Sequence, residues 1–72
     1  MKNTNKIKIK VNGKIKLINR NIKLSNLIKS LNIPIRKVAI ELNQEIMDKK
    51  KLNKIHLKKG DKIEIVHFIG GG

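Results

Sequence analysis

Between Lys6 and Leu17 apolar and charged residues alternate: Ile7, Ile9, Ile15 and Leu17 are apolar, while Lys6, Lys8, Lys10, Lys14 and Lys16 are charged. A period of two places successive side chains on opposite sides of an extended strand, so this stretch reads as a half-buried antiparallel hairpin. Asn12-Gly13 marks its turn. A two-residue type I′ turn there would pair Val11 with Lys14 and set apolar residues opposite lysines along the ladder. A three-residue loop, Val11-Asn12-Gly13, pairs Lys10 with Lys14 and Ile9 with Ile15, and puts Gly13 in the left-handed conformation of a bulge. The pattern thus predicts the three-residue loop, with Lys6, Lys8, Lys10, Lys14 and Lys16 sharing one open face.

A chain of 72 residues buries only roughly 60% of its unfolded surface, which is enough for one core and not two. Within it, Leu24, Leu27, Ile28 and Leu31 stand at the spacing of one helical stripe able to cover the apolar face of the hairpin. Lys23 occupies the position where a cap is expected, and Ser25 is the better capping residue. Asn32 suits a left-handed end cap, and Pro34 prevents continuation. Val38, Ile40 and Leu42 then alternate with Lys37, Ala39 and Glu41. A turn at Asn43-Gln44 leads to a short strand near Glu45-Ile46-Met47. Asp48 can cap one helical turn through Leu52, and Lys59-Gly60-Asp61 reads as a tight turn into a last strand from Lys62 to Ile69.

The order strand, strand, helix, strand, short strand, strand predicts an α+β fold of the β-grasp type. Four to five strands form a mixed sheet with one main helix across one face, and the first and last strands pair in parallel at its centre. Residues 1–69 form the single domain and 70–72 a flexible glycine tail. On the last strand Ile63 and Ile65 face the helix, and alternation turns Val66 and Phe68 to the open face; a β-bulge would instead return Phe68 to the core.

Lysine and arginine number 18 against five acidic residues, a formal charge of +13. Such a balance attracts phosphates or acidic surfaces. Phe68 is the only aromatic and the basic residues are nearly all lysine, so the stacking platforms and bidentate forks of nucleic-acid readers are missing. Two readings of the charge stand: compositional drift in a chain crowded with Ile, Lys and Asn, or attraction to an acidic partner. The absence of cysteine removes disulfides and thiolate metal sites and fits the cytoplasm. No apolar run approaches the roughly 20 residues that span a bilayer, so no membrane association is expected.

Ordinary catalytic constellations are missing. His56 and His67 share no ligand spacing, the carboxylates form no acid and base pair, and no glycine-rich loop precedes a helix. No catalytic residue and no metal site is expected. What stands out is the last stretch, where Ile, Val and Phe lead straight into Gly70-Gly71-Gly72. A backbone without side chains enters a narrow channel where any Cβ would obstruct, as an enzyme that adenylates a terminal carboxylate requires. The alternative is an idle tail.

The stretch Val38 to Ile46, the turn Lys59-Gly60-Asp61 and above all Glu64-Ile65-Val66-His67-Phe68-Ile69-Gly70-Gly71-Gly72 resemble the ThiS family, the ubiquitin-like sulfur carriers of thiamine thiazole synthesis. The resemblance implies a carrier and not an enzyme. A ThiF-like adenylyltransferase, using ATP, joins the Gly72 carboxylate to AMP; sulfur from a cysteine desulfurase or related donor makes the thiocarboxylate; a ThiG-like thiazole synthase receives it. Gly72 would carry the sulfur, Gly70 and Gly71 would thread the partner active sites, and Val66, Phe68 and Ile69 would dock. No cofactor is expected to be bound to the carrier itself. Alternatives are the small subunit of molybdopterin synthase and, in a different class, a basic β-grasp module that binds RNA.

Overall fold

A computed structural model of the chain describes residues 5–68. Strand β1 (Lys6–Val11) turns into β2 (Lys14–Asn19). The helix α1 (Leu24–Ser30), a 3₁₀ turn (Ile35–Lys37), β3 (Val38–Leu42), β4 (Glu45–Ile46), a 3₁₀ helix (Lys49–Lys54) and β5 (Lys62–His67) follow. The strands form a five-stranded sheet in the order β2-β1-β5-β3-β4. β1 and β5 run parallel and the other neighbours antiparallel. This is the expected β-grasp, with the last strand central and the first beside it.

The core is entirely aliphatic. Ile7 and Ile9 of β1, Ile18 of β2, Val38 and Ile40 of β3, and Ile63 and Ile65 of β5 face Leu24, Leu27 and Ile28 of α1, with Leu52 and Leu57 closing the border. Each such side chain contributes about 1.5–3 kcal/mol when fully buried. The predicted helical stripe is the one observed, with Leu31 partly buried at its end. Asn32 takes φ 58, the expected left-handed cap. The Asp48 carboxylate accepts from Lys50 N at 2.9 Å, as its capping role requires, although the helix it starts runs on to Lys54.

Two expectations are corrected. The helix begins at Leu24 with Lys23 as its N-cap and no side-chain cap, so Ser25 lies inside the first turn. Backbone contacts with a distant segment take the place of the cap: Leu24 N donates to Ile55 O, and Leu57 N to Ile22 O, both at 2.9 Å. The start of α1 is thereby anchored to the chain after the 3₁₀ helix.

The second correction is the hairpin register. Val11 pairs with Lys14, Lys10 with Ile15, Ile9 with Lys16 and Ile7 with Ile18. The turn is the two-residue type I′, with φ 51 at Asn12 and φ 83 at Gly13. Lys6, Lys8 and Lys10 therefore share the open face with Ile15 and Leu17, while Lys14 and Lys16 lie on the helix side. β2 is an edge strand, and a seven-residue helix about 10 Å long does not cover it fully. Only Ile18 of β2 needs to reach the core, and Ile15 and Leu17 stay 65% and 57% exposed.

What favours this register lies across the sheet. In the three-residue loop Val11 would leave the ladder; here it pairs with Ile63 of β5 and packs against the core. Asn12 then clasps the central strand: its N–H donates to Ile63 O at 2.9 Å, and its Oδ1 accepts from Ile65 N at 2.7 Å. Its Nδ2 donates to Ile65 O at 3.4 Å. The expected turn at Asn43-Gln44 repeats the device, with φ 52 and 72. Asn43 Oδ1 accepts from Lys62 N at 2.9 Å, and its Nδ2 donates to Asp61 Oδ1 at 3.1 Å.

Replacing Asn12 by Ala removes both side-chain bonds and leaves Ala in the left-handed region. The expected cost is about 2 kcal/mol, a Tm lowered by roughly 8–16 °C in a domain of this size. A Cβ on Gly13 would meet nothing within 4 Å, so Gly13→Ala should cost only the conformational penalty of about 1 kcal/mol. Thermal melts of the two variants check this. An Asn12→Ala protein as stable as the unaltered chain would show that the clasp does not hold the register.

Candidate functional site

Because the core holds only aliphatic side chains, the largest apolar residue of the chain is left outside it. Phe68, one residue beyond β5, is 54% exposed. The β3–β5 ladder is uninterrupted from Val38↔His67 to Leu42↔Ile63, so no bulge turns the strand and Phe68 is not returned to the core. Its backbone is fixed, with Phe68 N donating to Lys37 O at 2.9 Å. Its ring lies under Lys49, the ammonium 5.3 Å from the centroid, close enough for a cation–π attraction of about 0.5–1 kcal/mol at an exposed site. Val66, paired with Ala39, is 51% exposed and faces away from the helix. Ile63 and Ile65 face the helix, as alternation requires.

The open face of the sheet can be read strand by strand, since directly paired residues share a side. Ile46 sits beside Glu41, and Glu41 beside Glu64. Next along β5 comes Val66 with Ala39, then Phe68. Toward the start of β5, Lys62 neighbours Lys10, which neighbours Ile15, and Lys8 neighbours Leu17. The face is thus polarised along β5. The end by Lys62 carries Ile15 and Leu17 among lysines; next come Glu41 and Glu64, two of the chain's five acidic residues, beside Ile46, and then Val66 and Phe68, whose ring lies under the Lys49 ammonium. Among the described residues, every large hydrophobic side chain with substantial exposure, Ile15, Leu17, Ile46, Val66 and Phe68, is on this face or at the end of its central strand.

Of the residues singled out in the sequence, Val66 and Phe68 are together at the end of β5. Ile69, Gly70, Gly71 and Gly72 lie outside the described residues. Ile46 and Lys49 were not foreseen. Ile46 was legible, because a two-residue turn at Asn43-Gln44 pairs Glu41 with Ile46 and sets both on one face. Lys49 carries no such signal, since its contact with Phe68 spans residues remote in sequence. Among the described residues no group of three His, Cys, Asp or Glu side chains could hold a metal ion, and no helix is long and apolar enough to cross a membrane.

Comparison with known proteins places this geometry. The model of the ThiS family matches residues 4–72. The sulfur carrier protein ThiS of Bacillus subtilis is 39% identical over 49 residues, covering 68% of this chain and 74% of that protein. The thiazole synthase of Paramagnetospirillum magneticum is 38% identical over 66 residues, 92% of this chain but 20% of its own length; the chain spans about a fifth of the thiazole synthases it matches. Among solved structures, the thiamine biosynthesis protein (ThiS) of Geobacter metallireducens superposes with a TM-score of 0.81 at 28% identity, over 92% of this chain and all of that one. With the family model matching residues 4–72 and the fold superposing on a ThiS structure over 92% of the chain, the chain belongs to the ThiS family.

Proposed function

We propose that this protein is a sulfur carrier of thiamine biosynthesis, acting in the cytoplasm, and that Gly72 bears the sulfur. The observation that carries this reading is the family match, which runs through residue 72 and so includes the glycine triplet. A carboxylate has no leaving group. A ThiF-like adenylyltransferase supplies one by joining the Gly72 carboxylate to the α-phosphate of ATP with release of pyrophosphate; a persulfide from a cysteine desulfurase or related donor then displaces AMP, and a thiol cleaves the acyl disulfide so formed, leaving the thiocarboxylate and a disulfide. The resulting thiocarboxylate passes sulfur to a thiazole synthase. That proteins named thiazole synthase contain a segment similar to this chain supports such a pairing. The carrier itself is a protein substrate: it contributes a terminal group, a backbone slim enough for a channel, and a surface to dock.

The docking surface in this reading is the end of β5, with Val66, Phe68 and Ile69 leading into Gly70 and Gly71. An apolar anchor beside the reacting end lets binding energy away from the chemistry position the carboxylate. The polarised open face adds direction, since a partner with acidic groups near Lys8 and Lys10 and basic groups near Glu41 and Glu64 would be steered into a single orientation.

Deleting Gly72 leaves a similar carboxylate on Gly71 but retracts it by about 3.5 Å, well beyond the roughly 1 Å misplacement that can cost a hundredfold in rate. ATP–pyrophosphate exchange with the purified adenylyltransferase should fall by at least that factor with no change in thermal stability. Gly71→Val should do the same by adding a branched side chain beside the reacting carboxylate. Full exchange activity in the shortened protein would refute the proposal.

A separate expectation concerns Phe68. Truncation to Ala should lower stability by about 1–2 kcal/mol, from the Lys49 contact and the covered half of the ring, while weakening adenylyltransferase binding about a hundredfold or more. Calorimetric melting and titration, run side by side, would count against the anchor if the two losses were equal.

A further inference from the structure

On the side of the sheet opposite the open face, α1 and the 3₁₀ helix Lys49–Lys54 leave between them a groove of about 410 Å³. Its floor is apolar. Ile28 and Leu52 are buried there, and Ile33 and Ile35 are partly buried against the core. Its rim is cationic, formed by Lys29 from α1 and by Lys49 and Lys50 from the 3₁₀ helix. Among the described residues no acidic side chain lines it, and the nearest in sequence, Asp48, is occupied in capping Lys50 N. The lysine positions are set by local geometry. In a 3₁₀ helix residues three apart eclipse, so Lys49 stands on the same side as Leu52 and Ile55, which pack inward. Its stem lines the groove while its ammonium reaches the Phe68 ring.

We propose that this groove is a second docking site, distinct from the open face, and that it takes an acidic amphipathic segment of a partner protein. The apolar floor calls for aliphatic or aromatic side chains, and the three rim lysines call for carboxylates flanking them. A second copy of this chain is a poor occupant, because its 18 basic and five acidic residues would bring like charge to a cationic rim. Nucleic acid fits the lysines but not the floor, which offers no aromatic to stack a base. The placement has two consequences. A partner held here leaves the open face free for another, so two proteins can bind at once. Lys49 is also shared: a carboxylate in the groove competes with the Phe68 ring for its ammonium and wins, since a charged acceptor outbids a ring quadrupole. Occupation of the groove therefore releases Phe68.

The test is titration of isotope-labelled protein with a short synthetic amphipathic peptide of Glu and Leu at physiological salt, where charges on the far face are screened. Amide shifts should concentrate in α1, Ile33 to Ile35 and Lys49 to Asn53, with a ring shift at Phe68 that is lost in Lys49→Gln. The double variant Lys29→Glu, Lys50→Glu should weaken binding about tenfold or more, whereas Lys8→Glu with Lys10→Glu on the open face should leave it within about twofold. A peptide with Ser in place of Leu should bind at least about tenfold more weakly. Lys8, Lys10, Lys29 and Lys50 are exposed and Lys49 is partly buried, so the folding of each variant is checked by melting. Protein lacking Gly72 should bind the peptide as the full chain does, which separates this proposal from the carrier reading. Shifts spread over all lysine-bearing surfaces, equal binding of the Ser peptide, equal displacement by inorganic phosphate, or self-association through the same residues would each overturn it.

Discussion

The parallel pairing of β1 with β5 is the contact on which the rest of the structure depends. It joins Lys10 to Lys62 and Val11 to Ile63, residues from nearly opposite ends of the chain, and so closes the sheet around its last strand. Once β5 is seated, β3 pairs along its other edge, and Ile63 and Ile65 become the centre of the core on which α1 rests. Each turn beside it reinforces the seat: Asn12 holds the middle of β5 through Ile65, and Asn43 holds its start through Lys62. Such non-local pairing is slow to form, but it gives the chain a last strand fixed on both sides. The segment leading to the glycines leaves from a rigid seat.

The proposed function draws on that anchoring. In the carrier reading a terminal group must reach the active sites of more than one partner, so it needs freedom at the tip and fixed geometry behind it. Lys37 O holds the backbone of Phe68, and the described part of the open face displays five exposed hydrophobic residues along with lysines at one end and a pair of carboxylates at its middle. Among the described residues, lysines stand on both sides of the sheet. Attraction alone therefore does not specify a docking pose, and the pairing of Glu41 with Glu64, like charges set directly opposite at some cost in stability, supplies a local exception that a partner can read.

The elements were legible because local signals coincided with tertiary need. Alternation in Val38–Leu42 and Lys62–His67, the helical stripe from Leu24, the left-handed Asn32 and the capping Asp48 all stand as their residue types imply. The hairpin register was not legible, because matching Ile9 to Ile15 assumes that both faces of β2 are equally constrained. An edge strand beside a short helix is not so constrained, and the deciding interactions came from Asn12 to Ile65, more than fifty residues away. The missing side-chain cap at Lys23 has the same origin, since Ile55 supplies a partner that no reading of the local sequence contains. At the site, the exposure of Val66 and Phe68 followed from alternation. The ring contact with Lys49 and the groove between α1 and the 3₁₀ helix depend on how remote segments pack, and local pattern gives no access to either.

The most direct measurement of the central claim is the intact mass of the protein purified from its own cells under thiamine limitation. The sulfur-carrier account predicts a population heavier by the replacement of one oxygen by sulfur, with fragmentation placing the change on Gly72 and mild hydrolysis reversing it. A chain that leaves such cells with an unmodified terminal carboxylate throughout, while thiazole synthesis is active, would contradict the account.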